Sequence, residues 1–467
     1  MMPGARACEG SGPDRGGEGP PRWSPGSRLP IHAPATEPVR SPGVRGLRHG
    51  ADRWADAIVV GAGPAGATAA MTLAARGVRT LLLDRKRFPR DKPCGGGARH
   101  GLLRRFPAIA AALGERVALH EVRRVHMESP SGASVVAEME GPLYLTFRRV
   151  EFDAALVDMA RAAGAELIEG VRVWAVDRGG DGVTVHAVDG RRFTARLVIG
   201  ADGINGVVAR SVGLADRASP DTLAVDTMEE TPLDDLSVPR SDTMYVAYGY
   251  RGWPGYGYVF PKARHVDAGV GVLVSFLRSL DDAPHELHRQ FLEEAAVRGI
   301  VRGRSVPGNF KAHRLPLGGP LARTVADGVL LCGDAGGFVN AYTGEGIYYA
   351  MVTGEHAGAA AAEALAAGDT SAAGLAPYEA RWRAEIGEEL ADSVRIQRRL
   401  FARPRLADAL IRAAAADARL RRLFALVALG EERLRGHRRE MAWRFLLASL
   451  RGRVPVAALL SPGRQGA

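Results

Sequence analysis

Residues 56–85 read DAIVVGAGPAGATAAMTLAARGVRTLLLDR. A short apolar run (57–60) leads into Gly61, Gly63 and Gly66. A stretch of small, helix-forming residues (68–76) follows and stops at Gly77, where a helix C-terminus favours glycine. A second apolar run (78–83) ends at Asp84. That order predicts strand, tight turn, helix and strand, a βαβ unit of the expected length. The three glycines have different tasks. The first makes the turn, the second lets backbone approach a pyrophosphate, and the third lets helix and strand pack closely. The N–H groups and positive dipole end of the helix then face the phosphates. Asp84, 18 residues beyond Gly66, is placed to accept hydrogen bonds from ribose hydroxyls. Gly61, Gly63, Pro64, Ala65, Gly66 and Asp84 thus read as a dinucleotide cradle. The glycines alone are a weak signal; both strands, the helix and Asp84 give it weight.

Outward from this unit, residues 151–163 form a helical pattern with Phe152, Leu156 and Met159 on one side. Residues 171–199 alternate around GGDG and VDGRR, which predicts a β-meander. The runs TMYVAYGY, GYGYVFP and AGVGVLVSF, within 216–312, predict a separate antiparallel sheet. GVLLCGDAGG returns to a buried strand and a glycine turn, and an Ala-rich helix runs over 346–366. Residues 375–467 are helical, amphipathic and Arg-rich, and no internal repeat is seen. Residues 1–53, rich in Pro, Gly and Arg, read as a disordered extension without the apolar core of a secretory signal.

The 467 residues are 46% hydrophobic, enough for a sizeable core. Cys8, Cys94 and Cys332 lie far apart, which argues against a disulfide framework or zinc site and makes a reducing, cytoplasmic compartment the default. No metal site is expected. Net charge is +10, and the stretch from Arg419 to the end carries 11 Arg against three acids, a local +8. No uncharged apolar stretch is long enough to cross a membrane. The basic C-terminal helices suit peripheral contact with an anionic membrane face, and equally suit an ordinary solvated surface. A pI of 9.9 fits nucleic acid, but no nucleic-acid-binding signature is present and none is expected as a partner.

Three further segments identify the dinucleotide: GADG (200–203), CGDAGG (332–337) and TGEGI (343–347). With them the chain resembles the FAD-dependent oxidoreductases of the p-hydroxybenzoate-hydroxylase-like superfamily. The resemblance implies an α/β fold: a Rossmann-like FAD-binding domain (54–215 and 313–370), interrupted by an antiparallel β-sheet substrate domain (216–312), with a C-terminal helical region (371–467). It implies that Asp202, Gly203, Gly333 and Asp334 approach FAD, the Asp carboxylate holding the ribityl chain. Gly344, Gly346 and Ile347 would aim a helix N-terminus at the flavin N1/C2 edge, where it stabilises the charge of reduced flavin. Arg85, Arg149 and Val173 complete the implied cofactor set.

Two stretches narrow the family. FPRDKPCGGG (88–97) and GYGYVFPK (255–262), the latter followed by AGVGVLV, resemble the geranylgeranyl reductases, flavoenzymes that saturate isoprenoid double bonds. The second motif is often written YxWxFPK, and Tyr258 stands at the Trp position. The resemblance implies that Cys94, Gly95 and Gly96 line the flavin, with glycines letting backbone approach a flat ring. It implies that Tyr256, Tyr258, Phe260 and Pro261 face an isoprenoid tail, though ordinary core packing predicts the same alternation. An isolated isoprene bond is not polarised, so hydride addition needs a proton donor. Cys94 is the candidate donor, and equally a small apolar filler. No second GxGxxG marks a nicotinamide domain, and Gly269-Val270-Gly271 lies inside a strand; the reductant is NAD(P)H or ferredoxin. The expected function is FAD-dependent saturation of C=C bonds in an isoprenoid lipid, diphosphate or quinone tail. The alternative is a flavin monooxygenase acting on an apolar substrate. The WxWxIP motif of halogenases is absent, hydrolase chemistry lacks a nucleophile elbow, and a non-enzymatic binding protein is at odds with the intact Asp84 and Asp334.

Overall fold

The computed structural model describes residues 53–451, apart from 181, 216–218 and 281–282. The expected extension over 1–53 therefore lies, but for its last residue, outside the described residues, as does the end of the basic tail beyond 451.

The apolar runs around the glycine turn become the centre of a parallel sheet. Strand Arg53–Val60 pairs with Thr80–Asp84 on one side and Arg192–Gly200 on the other, with Ala57 opposite both Thr80 and Leu197. Glu166–Glu169 extends the sheet beyond Asp84, and Val329–Leu331 beyond Gly200. The runs 57–60, 81–83, 197–199 and 329–331 at the centre of the sheet are buried and apolar without a break. The predicted meander is present: Val173–Gly179, Gly182–Ala187 and Arg192–Gly200 pair antiparallel in succession.

Helix Pro64–Ala74 opens with proline, whose missing N–H costs nothing there. It packs against the long helix Ile347–Ala367, which ends at Gly368 with φ +73°. The small-residue composition of both helices now has its reason. A methyl at Gly354 would lie 2.2 Å from the Ala65 carbonyl oxygen, and one at Gly358 2.7 Å from that of Ala69. The backbones touch, as they do wherever small residues face each other across a helix pair. Helix Arg149–Ala162 buries Phe152, Leu156 and Met159, the stripe read from the sequence.

The second sheet runs, in order, Phe310–Pro316, Leu223–Pro232, His265–Leu273, Gly255–Pro261, Thr243–Tyr248, Arg124–Glu128 and Ser134–Glu138. Its last two strands precede residue 216, so the segment assigned to the FAD-binding part also builds the second sheet. They join it through parallel pairing of Arg124–Glu128 with Thr243–Tyr248, a partner that local sequence does not reveal. Helices Glu388–Phe401, Pro404–Ala416, Ala418–Ala428 and Leu434–Leu450 follow the FAD-binding part, and Ile411, Ala414, Ala425 and Ala428 pack against the sheet residues Met127, Val135 and Tyr248.

Candidate active site

The glycine turn is fixed by what surrounds it. Gly61 has φ +98°, and a methyl there would lie 2.4 Å from the Ala201 carbonyl oxygen, so the GADG loop closes directly over it. A methyl at Gly66 would stand 1.7 Å from the Gly61 oxygen. Gly63 is open instead: the nearest atom to its side-chain position is Arg90 Nη2 at 3.5 Å. Arg90 Nη1 is buried and has no partner among the described residues. A buried donor left unsatisfied beside a helix N-terminus and an open backbone turn fits a pyrophosphate. The residues present therefore fit FAD.

The two acids of the cradle are partly engaged with the chain itself. Asp84 accepts from Ala62 N and Lys86 N, both at 2.8 Å, and so holds the turn against the second strand. Asp202 accepts from Val208 N at 3.0 Å and from Val207 N at 2.5 Å, capping its own loop. This carboxylate shapes the loop through Oδ2, and its Oδ1 is buried without a partner among the described residues. Gly333 N donates to Thr353 Oγ1 at 3.0 Å, which fastens the Gly-Asp turn to the long helix. Asp334 Oδ1 lies 3.4 Å from the side-chain position of Gly346. The Gly-Asp and TGEGI turns thus converge at the N-terminus that begins with buried Ile347. Gly344 has φ +72° there, and Gly203, φ +75°, faces open space. Arg85, after the second strand, is exposed, and Val173 is half-buried at the start of the meander.

Arg149 is buried and clamps Asp153 through two bonds of 2.7 Å, with Arg90 Nη2 3.0 Å from the same carboxylate. Burial alone opposes ionisation of Asp153, but Arg149 and Arg90 outweigh it and hold its pKa below the usual range. Arg149 also interacts electrostatically with Cys94, whose sulfur accepts from Gly96 N at 3.4 Å. Lys92, in the same loop, has its pKa lowered by burial and by Arg149.

The two family-defining stretches meet in space. The side-chain position of Gly95 is 3.1 Å from Phe260 and 3.2 Å from Tyr258. That of Gly96, φ +64°, is 2.2 Å from the Phe147 oxygen and 2.6 Å from Lys262 Nζ, and that of Gly97 is 2.3 Å from Tyr144. On the side where a Cβ would stand, the glycines after Cys94 make room for neighbouring atoms of this protein. Lys262 Nζ binds Glu230 at 2.7 Å and Asp267 at 2.9 Å. Asp267 and Glu230 together raise its pKa against burial, Lys262 lowers that of Glu230, and burial pushes Asp267 up to about 8.

Tyr256, Tyr258 and Phe260 share one face, with ring centroids 6.0 and 4.6 Å apart in succession. Pro261 is one residue out of phase; its carbonyl accepts from the Thr146 hydroxyl, so its role is at the strand end. The aromatic row continues from Tyr256 to Tyr248 (6.3 Å), and from Tyr248 to Tyr342 (5.3 Å) and Phe424 (6.4 Å). There it reaches a cavity of about 220 Å³ beneath the C-terminal helices, lined by Ile396, Leu400, Leu410, Phe424 and Val427 with Glu388, Asp392, Arg399 and Arg435 among its charged residues. The hydroxyl of Tyr256 donates to the Thr343 carbonyl, so the row begins at the TGEGI turn.

A cluster around Arg99 was not legible in the sequence. Arg99 is buried and donates to Glu345, to Glu389 at 2.8 Å, to the Gly430 carbonyl at 2.8 Å and to the Tyr349 hydroxyl. It joins the loop after Cys94 to the TGEGI turn and to the C-terminal helices. Burial raises the pKa of Glu345, against the pull of Arg99. Among the described residues no cluster of metal-ligand type occurs, and no helix is long and apolar enough to cross a membrane.

Comparison with known proteins agrees with this geometry. Residues 55–393 match the FAD binding domain family. Digeranylgeranylglycerophospholipid reductase 1 of Methanococcoides burtonii is 32% identical over 359 residues, covering 74% of this chain and 84% of that protein. The reductase of the same name from Methanopyrus kandleri is 35% identical over 352 residues, covering 71% and 86%. A geranylgeranyl bacteriochlorophyll reductase-like protein of Thermoplasma acidophilum shares the fold, with a TM-score of 0.70 and 21% identity over 83% of this chain and 99% of that one. The chain belongs to the geranylgeranyl reductase family of FAD-dependent oxidoreductases.

Proposed function

We propose that this protein saturates C=C bonds in the isoprenoid chains of a lipid, drawing electrons from NAD(P)H or ferredoxin through FAD. The observation that carries the reading is the aromatic row that leads from the Cys94 loop and the TGEGI turn into the cavity under the C-terminal helices. An isoprenoid chain offers only hydrocarbon to bind, and an apolar, aromatic-lined channel is what removes it from water. The relatives' names add the substrate class: digeranylgeranylglycerophospholipids carry such chains. Reduced FAD held in the cradle supplies a hydride. The chain's own work is to hold the cofactor through Gly61, Gly63, Arg90 and the helix N-termini, to place the alkene against the aromatic face, and to deliver a proton. Asp84, Asp202, Asp334 and Arg149 order the cofactor-binding loops.

Anaerobic incubation of the reduced holoenzyme with a geranylgeranyl lipid tests the reading. The flavin absorbance is expected to return as saturated product forms; oxygen uptake with a hydroxylated or epoxidised product supports the monooxygenase alternative. Cys94→Ala separates the two roles left open for the thiol. We expect FAD binding to be kept and turnover to stay within about tenfold of wild type; a loss of about 10² or more makes the thiol the proton donor.

Membrane contact completes the proposal. Helix Leu434–Leu450 leaves Trp443, Leu446 and Leu450 exposed, at 59, 45 and 71%, on a surface that also presents Arg435, Arg438 and Arg439. That combination suits the interface of an anionic bilayer, where the lipid substrate resides.

A further inference from the structure

The glycines of Gly269-Val270-Gly271 are accounted for by the strands on either side. Asp226 pairs across Gly271 with Tyr256, and Gly269 pairs with Tyr258. A methyl at Gly269 would lie 2.5 Å from the Tyr258 hydroxyl, and one at Gly271 3.8 Å from Asp226 Oδ1. Without side chains there, the Tyr258 ring lies over the middle strand, and its hydroxyl donates to Asp226 Oδ2 at 3.2 Å. An edge of the same ring faces Gly95, 3.2 Å from its side-chain position. Tryptophan, the usual residue here by resemblance, has no hydroxyl for this bond. His313 pairs with Asp226 from the next strand, and Lys92 interacts with it electrostatically from the Cys94 loop.

We propose that Asp226, anchored by Tyr258, is the acid that provides the proton consumed when an isolated alkene is saturated at this site. This rests on the alkene-reductase reading. One alkene carbon gains a C–H bond from the hydride, whose two electrons come from the reduced cofactor, which is thereby oxidised. The other carbon gains the carboxyl proton as the Asp226 O–H bond breaks. The carboxylate that remains is stabilised by the Tyr258 hydroxyl and Lys92 until solvent reprotonates it. Even with its pKa raised to about 7, this carboxyl is a stronger acid than an ordinary thiol, whose pKa is about 8.5.

Burial pushes Asp226 up to about 7, against the opposing pull of Tyr258 and Lys92, so the acid form persists near neutrality. The groups around it are Tyr256 and Tyr258 on one strand, Asp267 on the middle strand, His313 on the outer one and Lys92 in the loop. His313 is kept neutral because burial, with Lys92 and Arg149, drives it down to about 3. A proton carried on an acid with a raised pKa is lost as pH rises. Turnover is therefore expected to fall as pH rises through about 7.

The test has two arms. In the apoprotein, infrared titration of wild type against D226N is expected to show a protonated carboxyl band that disappears as pH rises through about 7 and is missing from the variant. In the chemically reduced holoenzyme, D226N is expected to slow saturation of a geranylgeranyl lipid by about 10²–10⁴ and D226E to restore part of it, with FAD content unchanged. Product formation by D226N within about threefold of wild type overturns the proposal, as does the lack of a titrating band. If the band titrates but wild type saturates no prenyl lipid, the reductase reading itself fails, and the role of Asp226 in it with it.

Discussion

Replacing Gly66 by alanine is expected to yield protein without bound FAD. The added methyl would stand 1.7 Å from the Gly61 carbonyl oxygen and 3.1 Å from Ala201 Cβ. Neither neighbour is the free end of a side chain, so the first helix or the glycine turn must shift. Alanine favours a helix over glycine by about 1 kcal/mol, while overpacking a tight site costs roughly 1–3 kcal/mol and more where backbone must move. The clash decides the sign. The same shift displaces the N–H groups and helix dipole from the pyrophosphate, and each 1.4 kcal/mol lost there weakens binding about tenfold. Flavin absorbance per mole of purified protein is the measurement. Less than about a tenth of the wild-type content is expected, and a stoichiometric complement contradicts the geometry of the cradle.

Arg99→Met is expected to cause the largest loss of stability among single changes outside the cradle. The guanidinium lies between Glu345 and Glu389, donates to Gly430, and stacks over Tyr348 at 4.2 Å and Tyr349 at 4.9 Å. Removing it leaves the buried carboxylate of Glu345 and the half-buried one of Glu389 without their shared cation, and breaking a buried pair in this way costs about 3–5 kcal/mol. Chemical denaturation measures it. The double variant R99M/E345Q should recover part of the loss, because it removes one stranded charge. An R99M protein as stable as wild type means that the cluster does not bind the C-terminal helices to the TGEGI turn.

What the sequence made legible follows from which constraints act locally. The cradle was readable because backbone contacts forbid a side chain at Gly61 and Gly66, and such a constraint leaves a glycine at a fixed spacing. The aromatic row was readable as an alternation, and the structure adds that it runs on through Tyr248 to Phe424. Strands Arg124–Glu128 and Ser134–Glu138 were missed as part of the second sheet because their partner is more than a hundred residues away. Asp202 was read as a cofactor ligand from its place in GADG, a pattern that does not show which N–H groups its carboxylate will take. Arg99 sat in plain view two residues after Gly97, yet its partners come from residues 345, 349, 389 and 430. Asp226 carries no motif at all; only the register across Gly269 and Gly271 brings it to Tyr258. The Cys94 stretch gained most, since the close approach of Tyr258, Phe260, Lys262 and Tyr144 to its glycines comes from distant strands.

The most direct measurement is a mass spectrum of a digeranylgeranyl lipid after anaerobic incubation with the reduced holoenzyme. The account predicts a ladder of products, each heavier by one H₂ per double bond, formed as the flavin returns to its oxidised spectrum. Unchanged lipid mass with the flavin still reduced, or products heavier by oxygen once air is admitted, contradicts it.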